Sequence, residues 1–539
     1  MYSRKHPANR CCDTVEVQLK NESVPEEPWW KATVFYQVYP RSFADANGDG
    51  VGDLDGICRH LDHLTWLGVD AIWLSPFYRS PMADFGYDVA DYCDVDPLFG
   101  SLADFDHLLA EAHRRNLKVI IDWVPNHTSD QHSWFIESRS SRDNPKRDWY
   151  YWRDGTPDQP PNNWRRAFGQ GPAWTWDRAT QAWYLHLFLP EQPDLNWTNP
   201  EVIEAMHGVL RFWLDRGIDG FRIDVVHAIG KEPAQFDIPV EELTHRGLEI
   251  DERSRYLIRG FRSILDSYPD QRMMVGEVYI LDAARVASYC APGLLHLSFN
   301  FLPLWAPWDA EAWRQQMNAT YREMGSAGGW PTWVLSNHDC PRPRTRYGSE
   351  GRARAAAVLL LTQRGTPFLY QGEELGLENA VIPPERVVDP GGRDGCRAPI
   401  PWDATATHGW SAEPWLPWPP EPERRNVVGL RRDPNSILHL YRRLLEVRRN
   451  SYALQRGEFE WLASPEGTLA YLRKTDDDRR AVIVNFGDSA IEVSIDRSWQ
   501  VEVSSDGDGQ GLLYTGEVGP SAAVVLRPAT SVQTADERV

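Results

Sequence analysis

The chain has 539 residues, a formal net charge of −20 and a pI of about 5.2, so two or three domains are expected and nucleic-acid binding is disfavoured. Its seven cysteines are scattered and odd in number, which predicts no disulfide framework and favours a reducing compartment. No apolar run reaches the roughly 18 residues of a membrane span and residues 1–28 hold no signal-peptide core, so the sequence predicts a cytoplasmic protein with no membrane partner.

A loop with alternating polar residues follows the first predicted strand. The stretch DANGDGVGDLDG, residues 45–56, matches the first nine positions of an EF-hand loop, but Gly56 stands where a bidentate Glu should close the site. Residues 34–43 are aromatic and β-branched, as in a strand, and residues 54–67 have helical apolar spacing. An EF-hand needs a helix on both sides, so we predict a strand-to-helix loop, either a metal loop of another kind or an Asx/Gly turn.

Strands and helices alternate along most of the chain. Short apolar runs predict eight strands, at residues 34–39, 71–75, 119–124, 220–224, 273–278, 295–299, 333–336 and 368–370. Helical spacing predicts helices between them, at residues 102–115, 200–216, 251–267, 311–324 and 352–362. Eight strands that alternate with helices predict an α/β fold, a (β/α)8 TIM barrel.

Two segments depart from this alternation. Residues 128–196 are rich in Trp, Pro, Asn and Asp and too long for a loop, which predicts a small inserted domain B after strand three. Residues 451–530 have short alternating strands with turns between them, which predicts a C-terminal antiparallel β domain. The predicted barrel then comprises residues 29–127 and 197–450, with tails at residues 1–28 and 531–539.

Polar side chains gather where four predicted strands end. In GFRID, Arg222 and Asp224 alternate with apolar residues and would face the barrel axis. The other strand ends carry Asn126 and His127, then Glu277, then Asn337, His338 and Asp339. A single acid there could cap the next helix, but strand ends of a TIM barrel converge on one face, so this set predicts a catalytic site.

Three carboxylates without a Cys or Ser nucleophile suit glycoside hydrolysis. That reaction needs one carboxylate as nucleophile and one as general acid, about 5–5.5 Å apart in a retaining enzyme. Arg222, two residues from Asp224, is expected to lower the pKa of Asp224 and so keep a nucleophile ionised.

Several motifs together resemble the α-amylase superfamily of glycoside hydrolases, family 13. They are DWVPNH (122–127), GIDGFRIDVVH (217–227), GEVY (276–279) and SNHD (336–339). QPDLNW (192–197) and RDGCRAPIPW (393–402) are similar to markers of the α-glucosidase and oligo-1,6-glucosidase branch. The resemblance runs from Trp29 into the predicted C-terminal domain.

The resemblance implies a role for each matching position. Asp224 would be the nucleophile, Glu277 the acid/base and Asp339 the transition-state stabiliser. Asp84 would hold the non-reducing glucose in a pair with Arg397. The other implied contacts in subsite −1 are Tyr87 as stacking platform, Phe168 as lining, and His127, Arg222 and His338.

The resemblance also implies a structural calcium or magnesium ion on the 45–56 loop, with no organic cofactor. Its implied ligands are the side chains of Asp45, Asn47, Asp49 and Asp53 and the carbonyl of Val51. The ion would brace the loop without a catalytic part. A metal-free turn remains the alternative.

The resemblance implies a retaining, exo-acting α-glucosidase for short α-glucosides such as maltose, isomaltose or sucrose-like sugars, as a monomer or homo-oligomer. Alternatives are an oligo-1,6-glucosidase and a transglucosylase or isomerase such as a trehalose synthase. Val225 resembles the form that tolerates α-1,6 linkages, whereas Cys340 and Ala398 depart from the branch pattern. A non-hydrolytic transporter subunit of the superfamily would have a transmembrane helix and lack the catalytic acids.

Overall fold

A computed structural model describes residues 27–168, 171–231, 237, 251–496 and 498–529. The predicted C-terminal tail, and all but the last two residues of the predicted N-terminal tail, lie outside these ranges. No helix in the described ranges is long and apolar enough to cross a membrane.

The first part of the chain supplies three strands of a parallel sheet. Its elements are β1 (Phe35–Val38), α1 (Leu54–Arg59), α2 (Leu61–Leu67), β2 (Ala71–Leu74), β3 (Tyr78–Arg79), β4 (Asp91–Val95), α3 (Leu102–Arg114) and β5 (Lys118–Trp123). Helix α3 begins with a capping box, in which Ser101 and Asp104 each accept the other's backbone N–H. Strands β1 and β2 are buried at every residue, as the strands of a sheet covered on both faces must be.

The segment after β5 contains a separate small sheet. Its elements are α4 (Ser133–Ser140), β6 (Trp152–Arg153), β7 (Trp174–Asp177) and β8 (Ala182–Leu185). Both β6 and β7 pair with β8 in antiparallel register. This sheet lies within the segment predicted as domain B; the exact domain limits stay predictions.

The chain then returns to the parallel sheet. Its elements are α5 (Pro200–Asp215), β9 (Gly220–Ile223), α6 (Asp251–Asp266), β10 (Met273–Gly276), α7 (Ala283–Ser288), β11 (Leu297–Ser298), α8 (Ala310–Ala327), β12 (Thr332–Val334), α9 (Pro343–Tyr347), α10 (Glu350–Thr362), β13 (Thr366–Tyr370), α11 (Val427–Arg432) and α12 (Ile437–Arg449).

The parallel strands pair in the order β11-β10-β9-β5-β2-β1-β13-β12. Neighbours in this order pair in parallel register, β13 returns to β1, and β11 and β12 stand at the two ends of the order. At the seam between β11 and β12, a side chain bridges the two strands: the Thr332 hydroxyl donates to the Ser298 carbonyl (2.6 Å) and accepts the Asn300 N–H (3.1 Å). Eight parallel strands with helices between them confirm the predicted TIM barrel.

The last part of the chain forms an antiparallel sheet, as predicted. Its elements are α13 (Tyr452–Arg456), β14 (Glu458–Trp461), β15 (Thr468–Lys474), β16 (Arg479–Asn485), β17 (Ile491–Glu492), β18 (Trp499–Ser504), β19 (Glu517–Val518) and β20 (Ala523–Pro528). Five of these strands pair in the order β14-β15-β16-β20-β18, and β17 pairs with β19.

Alternate residues of the barrel strands enter two different cores. Tyr36, Ile72 and Phe221 pack in the large core that includes the surrounding helices. Phe35 and Trp73 instead pack in the core inside the barrel. Successive side chains of a strand point to opposite faces, and here both faces are covered by an apolar core. The barrel strands are therefore stable without polar residues alternating with apolar ones.

Candidate active site

One buried guanidinium organises the carboxylates at the strand ends. Arg222 lies on β9, and its Nη1 donates to Asp122 Oδ1 (2.7 Å) and to Asp224 Oδ1 (2.6 Å). Its Nη2 donates to Glu277 Oε2 (2.7 Å), and the Val225 N–H donates to the same Glu277 oxygen (3.1 Å). Asp224 and Glu277 directly follow β9 and β10, which are neighbours in the sheet. Arg222 thus faces the barrel axis, as the alternation of GFRID predicted.

Burial changes the electrostatics that we expected for Asp224. Desolvation raises the pKa of Asp224 well above its usual value, and the Glu277 and Asp122 carboxylates raise it further, although Arg222 lowers it. Burial also raises the pKa of Asp122 to about 6. The expectation of a low pKa for Asp224 was therefore wrong, because one cation does not offset burial and two neighbouring carboxylates.

Asp339 has a different environment. Its Oδ1 accepts from Arg393 Nη1 and from Arg397 Nη2, both at 3.0 Å. Although burial opposes it, His338 and these two arginines hold the pKa of Asp339 well below its usual range. Asp339 therefore presents a permanent negative charge, which suits a group that stabilises a developing positive charge.

A hydrogen-bonded chain fixes the ring of His338. The Gln37 amide nitrogen lies 2.8 Å from His338 Nδ1, so Nδ1 accepts and Nε2 carries the proton. His338 Nε2 then donates to the Tyr87 hydroxyl (2.7 Å), which donates to Asp122 Oδ2 (3.0 Å). Burial lowers the pKa of His338 to about 3, so the imidazole is neutral and the chain is oriented.

The wall around Asp84 differs from the prediction. Asp84 Oδ1 accepts from Arg393 Nη2 (2.6 Å), and its Oδ2 accepts from the Gln192 amide (3.0 Å). Arg397, the predicted partner, instead donates from Nε to the His338 carbonyl (2.8 Å) and from Nη2 to Asp339. The prediction of an Asp84–Arg397 pair was therefore wrong, and Arg393 takes that place.

The local structure explains why two arginines compete for this position. Arg393 directly precedes one short 3-10 turn, Asp394–Arg397, and Arg397 ends it. Both guanidinium groups donate to Asp339 Oδ1 and to Asp389 Oδ1. Asp389 accepts from Arg393 Nε (3.0 Å) and from Arg393 Nη2 (2.6 Å) and so aims this guanidinium at Asp84. Arg393 bridges Asp84 and Asp339 across the site.

The remaining predicted contact residues lie in the same network. Tyr87 stacks on His338, with ring centroids 5.3 Å apart and planes 5° from parallel. His127 Nε2 lies 3.0 Å from the Gln192 amide nitrogen and 3.2 Å from the Tyr87 carbonyl oxygen. The guanidinium of Arg393 lies 4.4 Å from the centre of the Phe168 ring. The structure thus brings all the predicted catalytic and substrate-binding residues together.

The sequence prediction missed five residues of this network, among them Gln37 on β1. Three of them are the first residues of quoted motifs: Asp122 of DWVPNH, Gln192 of QPDLNW and Arg393 of RDGCRAPIPW. Their places in those motifs were the available signal. Asp389 stands just ahead of the last motif, and no sequence pattern pointed to it.

The predicted metal loop is held by its own side chains. Asp45 accepts the N–H groups of Gly48 (2.6 Å) and Gly50 (3.1 Å), and Asp53 accepts those of Ala46 (3.0 Å) and Gly56 (2.6 Å). Gly50 has φ +85°, and a Cβ there would lie 2.2 Å from the Glu413 carbonyl oxygen, so only glycine fits.

The exposed side chains of this loop make the same kind of contact. Asn47 and Asp49 each accept the N–H two residues on, as in Asx turns. Within the described ranges, no three His, Cys, Asp or Glu side chains converge as a metal site. The loop nevertheless offers carboxylate, amide and carbonyl oxygens, the donors that calcium and magnesium prefer.

Comparisons with known proteins agree with this arrangement. Residues 37–457 match the family model described as alpha amylase, catalytic domain. A probable alpha-glucosidase of Rhizobium meliloti is 42% identical over 506 residues, which cover 86% of this chain and 91% of that protein. An oligo-1,6-glucosidase of Parageobacillus thermoglucosidasius is 38% identical over 520 residues, with coverages of 86% and 91%.

Solved structures are similar over nearly the whole chain. An alpha-glucosyl transfer enzyme superimposes with a TM-score of 0.86 at 39% identity, over 94% of this chain and 100% of that one. A trehalulose synthase from Pseudomonas mesoacidophila superimposes with a TM-score of 0.88 at 34% identity, over 93% and 100%.

Proposed function

Because this chain belongs to the α-amylase family of glycoside hydrolases, we propose that it is an exo-acting α-glucosidase that releases single glucose units from short α-glucosides with retention of configuration. The observation that carries the proposal is the Arg393 bridge between Asp84 and Asp339, which would close the pocket beyond the terminal sugar.

The proposed reaction uses the three acids in separate steps. Glu277 donates its proton to the leaving oxygen while Asp224 attacks C1, so the C1–O bond breaks and a glucosyl–Asp224 ester forms. Glu277 then takes a proton from water, whose oxygen attacks C1 and displaces Asp224. Asp339 stabilises the positive charge that develops on the sugar in both steps.

The contacts of Arg222 support this division of roles. Its guanidinium binds both Asp224 and Glu277 and fixes their distance from each other. The Val225 N–H holds the Glu277 oxygen from a second direction. Two carboxylates tied to one guanidinium suit the close spacing that a retaining mechanism needs, about 5–5.5 Å.

The Arg393 bridge between Asp84 and Asp339 predicts how the rate depends on the length of the sugar substrate. A polymer cannot thread past Asp84 and Arg393, so we expect kcat/KM for maltose or isomaltose to exceed that for soluble starch by on the order of 100-fold. NMR of early products should show glucose alone, first as the α anomer. Early release of maltotriose or longer fragments from starch would contradict the closed pocket, and first release of β-glucose would contradict retention.

A second candidate is an oligo-1,6-glucosidase or a glucosyl-transferring isomerase. Val225 directly follows the nucleophile, and a valine at this position resembles the form of the motif that accompanies tolerance of α-1,6 linkages. The relatives include proteins named oligo-1,6-glucosidase and trehalulose synthase, which supports this candidate. Product NMR after separate incubations with maltose, isomaltose and sucrose distinguishes hydrolysis from transfer and gives the linkage preference.

We also propose that the 45–56 loop binds one calcium or magnesium ion that braces the loop without taking part in the reaction. Elemental analysis of the purified protein should then find about one such ion per chain. Asp49→Ala should lower the melting temperature more than it raises KM, because the ion binds only the folded state. Asp508→Ala, in a Gly-rich loop of the C-terminal domain, is the control and should leave the melting temperature unchanged. If the purified protein contained no such ion and kept its full melting temperature, the 45–56 loop would be an ordinary Asx turn.

A further inference from the structure

A cavity separate from the active site lies between β4 and α4. Its volume is about 450 Å³, within the range of pockets that hold small ligands. On one side it is lined by Asp91 and Tyr92 of β4, and on the other by His132, which caps α4, and by Trp134. None of the residues that line it belongs to the active site described above.

Three aromatic rings form much of the wall of this cavity. The centre of the His132 ring lies 5.6 Å from that of Tyr92 and 4.4 Å from that of Trp134. The rings of Tyr92 and Trp134 are 6.2 Å apart, with their planes 33° from parallel. Trp134 is only half-buried, so part of its indole is free to meet a ligand. Such rings offer a flat apolar surface, and the C–H face of a sugar ring is flat and apolar in the same way.

His132 supplies a hydrogen-bond donor that the folded chain does not use. Its Nδ1 accepts the backbone N–H of Trp134 (3.1 Å), so Nε2 carries the proton. Burial lowers the pKa of His132 to about 3, so the ring is neutral. The side chain is only 4% exposed, yet no group in the described ranges pairs with Nε2. A buried donor without a partner is costly, and a ligand oxygen would satisfy it.

The rim of the cavity carries charges of both signs. Asp91 is exposed, and its Oδ1 accepts the Cys93 N–H (2.8 Å). Arg79 is paired with Asp94 (3.2 Å) in an exposed ion pair. An anionic ligand would be repelled by Asp91, whereas a cationic ligand could not accept from His132 and would be repelled by Arg79. A neutral ligand with hydroxyl groups can accept from His132 and donate to Asp91, so the rim favours this class.

Tyr92 separates the cavity from the active site. Its hydroxyl donates to the Val124 carbonyl (2.9 Å) and to the His127 carbonyl (2.6 Å), where the chain leaves β5. The Tyr92 side chain is buried, so its ring closes the cavity on the side of His127. A ligand in this cavity would therefore lie behind the wall of the active site and could not reach Asp224.

We propose that this cavity, formed by Arg79, Asp91, Tyr92, His132 and Trp134, is a second saccharide site that binds a short neutral saccharide such as maltose. The sugar would pack a C–H face on the Trp134 ring, while one hydroxyl accepts from His132 Nε2 and another donates to Asp91. A purely apolar ligand would leave the His132 N–H without a partner. The inference goes beyond the proposed hydrolysis, because binding at this site needs no reaction.

The number of bound sugars tests the proposal. Asp224→Asn is expected to bind maltose without turning it over, so equilibrium dialysis of this full-length variant against radiolabelled maltose counts the sites. We expect about two maltose molecules per chain at saturation, one in the active site and one in the cavity. Adding Trp134→Ala should reduce the count to about one, because the stacking surface is lost.

His132→Asn provides a second variant that preserves the start of α4. The Asn side chain can still accept the Trp134 N–H at the helix cap, but it cannot reproduce the ring donor. In the Asp224→Asn background it should weaken the second site at least about tenfold. Trp66→Ala is the matched control, because Trp66 is also half-buried but lies on α2, outside the cavity, and the count should stay at about two.

The outcomes separate this inference from the proposed function. A single maltose per chain that Trp134→Ala and His132→Asn leave unaffected would overturn the second site and keep the active site. About two sites that both variants leave unaffected would overturn the assignment to this cavity. A single site that Trp134→Ala removes would instead support the cavity and count against maltose as a ligand of the active site.

Discussion

Asp224→Asn is expected to reduce kcat by at least about 10³-fold while the fold stays intact. The amide has no negative charge with which to attack C1. Its carbonyl oxygen can still accept the Arg222 hydrogen bond that Asp224 Oδ1 now accepts at 2.6 Å, so the local packing survives. Steady-state kinetics on maltose and circular dichroism measure the two expectations. Turnover near that of the wild type would refute Asp224 as the nucleophile.

Asp122 provides a matched comparison for this experiment. It accepts from the same Arg222 nitrogen at 2.7 Å but lies within β5, below the strand ends. Asp122→Asn should therefore cost less activity than Asp224→Asn.

Azide should restore activity to Asp224→Gly with an aryl α-glucoside and form the β-glucosyl azide, because the anion fills the space of the lost nucleophile and attacks C1. If azide instead restored activity to Asp122→Gly, Asp122 would be the nucleophile and Asp224 the supporting carboxylate.

Arg393→Met and Asp84→Asn are each expected to lower kcat/KM by roughly 10²–10³-fold, since breaking a buried ion pair costs about 3–5 kcal/mol. Arg393 donates to Asp84, Asp339 and Asp389, so its loss leaves two buried carboxylates, Asp84 and Asp389, and the partly exposed Asp339 short of a partner. The methionine keeps the aliphatic stem and removes only the guanidinium.

A double-mutant cycle tests the pairing itself. The Asp84→Asn/Arg393→Met double variant should lose little more than the worse single variant, because the two residues share one interaction. Asp84→Asn with Arg397→Met should be closer to additive. Arg386→Met is the control: Arg386 lies on the same loop in an exposed pair with Glu413 and should change kcat/KM less than twofold. A larger coupling of Asp84 to Arg397 than to Arg393 would restore the pairing predicted from sequence.

The sequence by itself determined the fold and the direction of its key side chains. Short buried strands alternating with helices specified the TIM barrel, although some observed strands are shorter than the predicted ones: β11 spans only Leu297–Ser298. The alternation in GFRID placed Arg222 and Asp224 toward the axis, because successive side chains of a strand point to opposite faces. The convergence of strand ends then brought Asp224, Glu277 and Asp339 to one face.

Only the tertiary structure decided which groups pair and which way their acidities shift. Asp84 and Arg393 are 309 positions apart, and the sequence offered two arginines four positions apart with no means to choose between them. Asp389 accepts from the Arg393 guanidinium and so orients it toward Asp84, and these contacts exist only in the folded chain. The raised pKa of Asp224 has the same origin, because burial and the distances to Asp122 and Glu277 are properties of the packed barrel. Local periodicity specifies where a side chain points, whereas long-range packing determines what it meets.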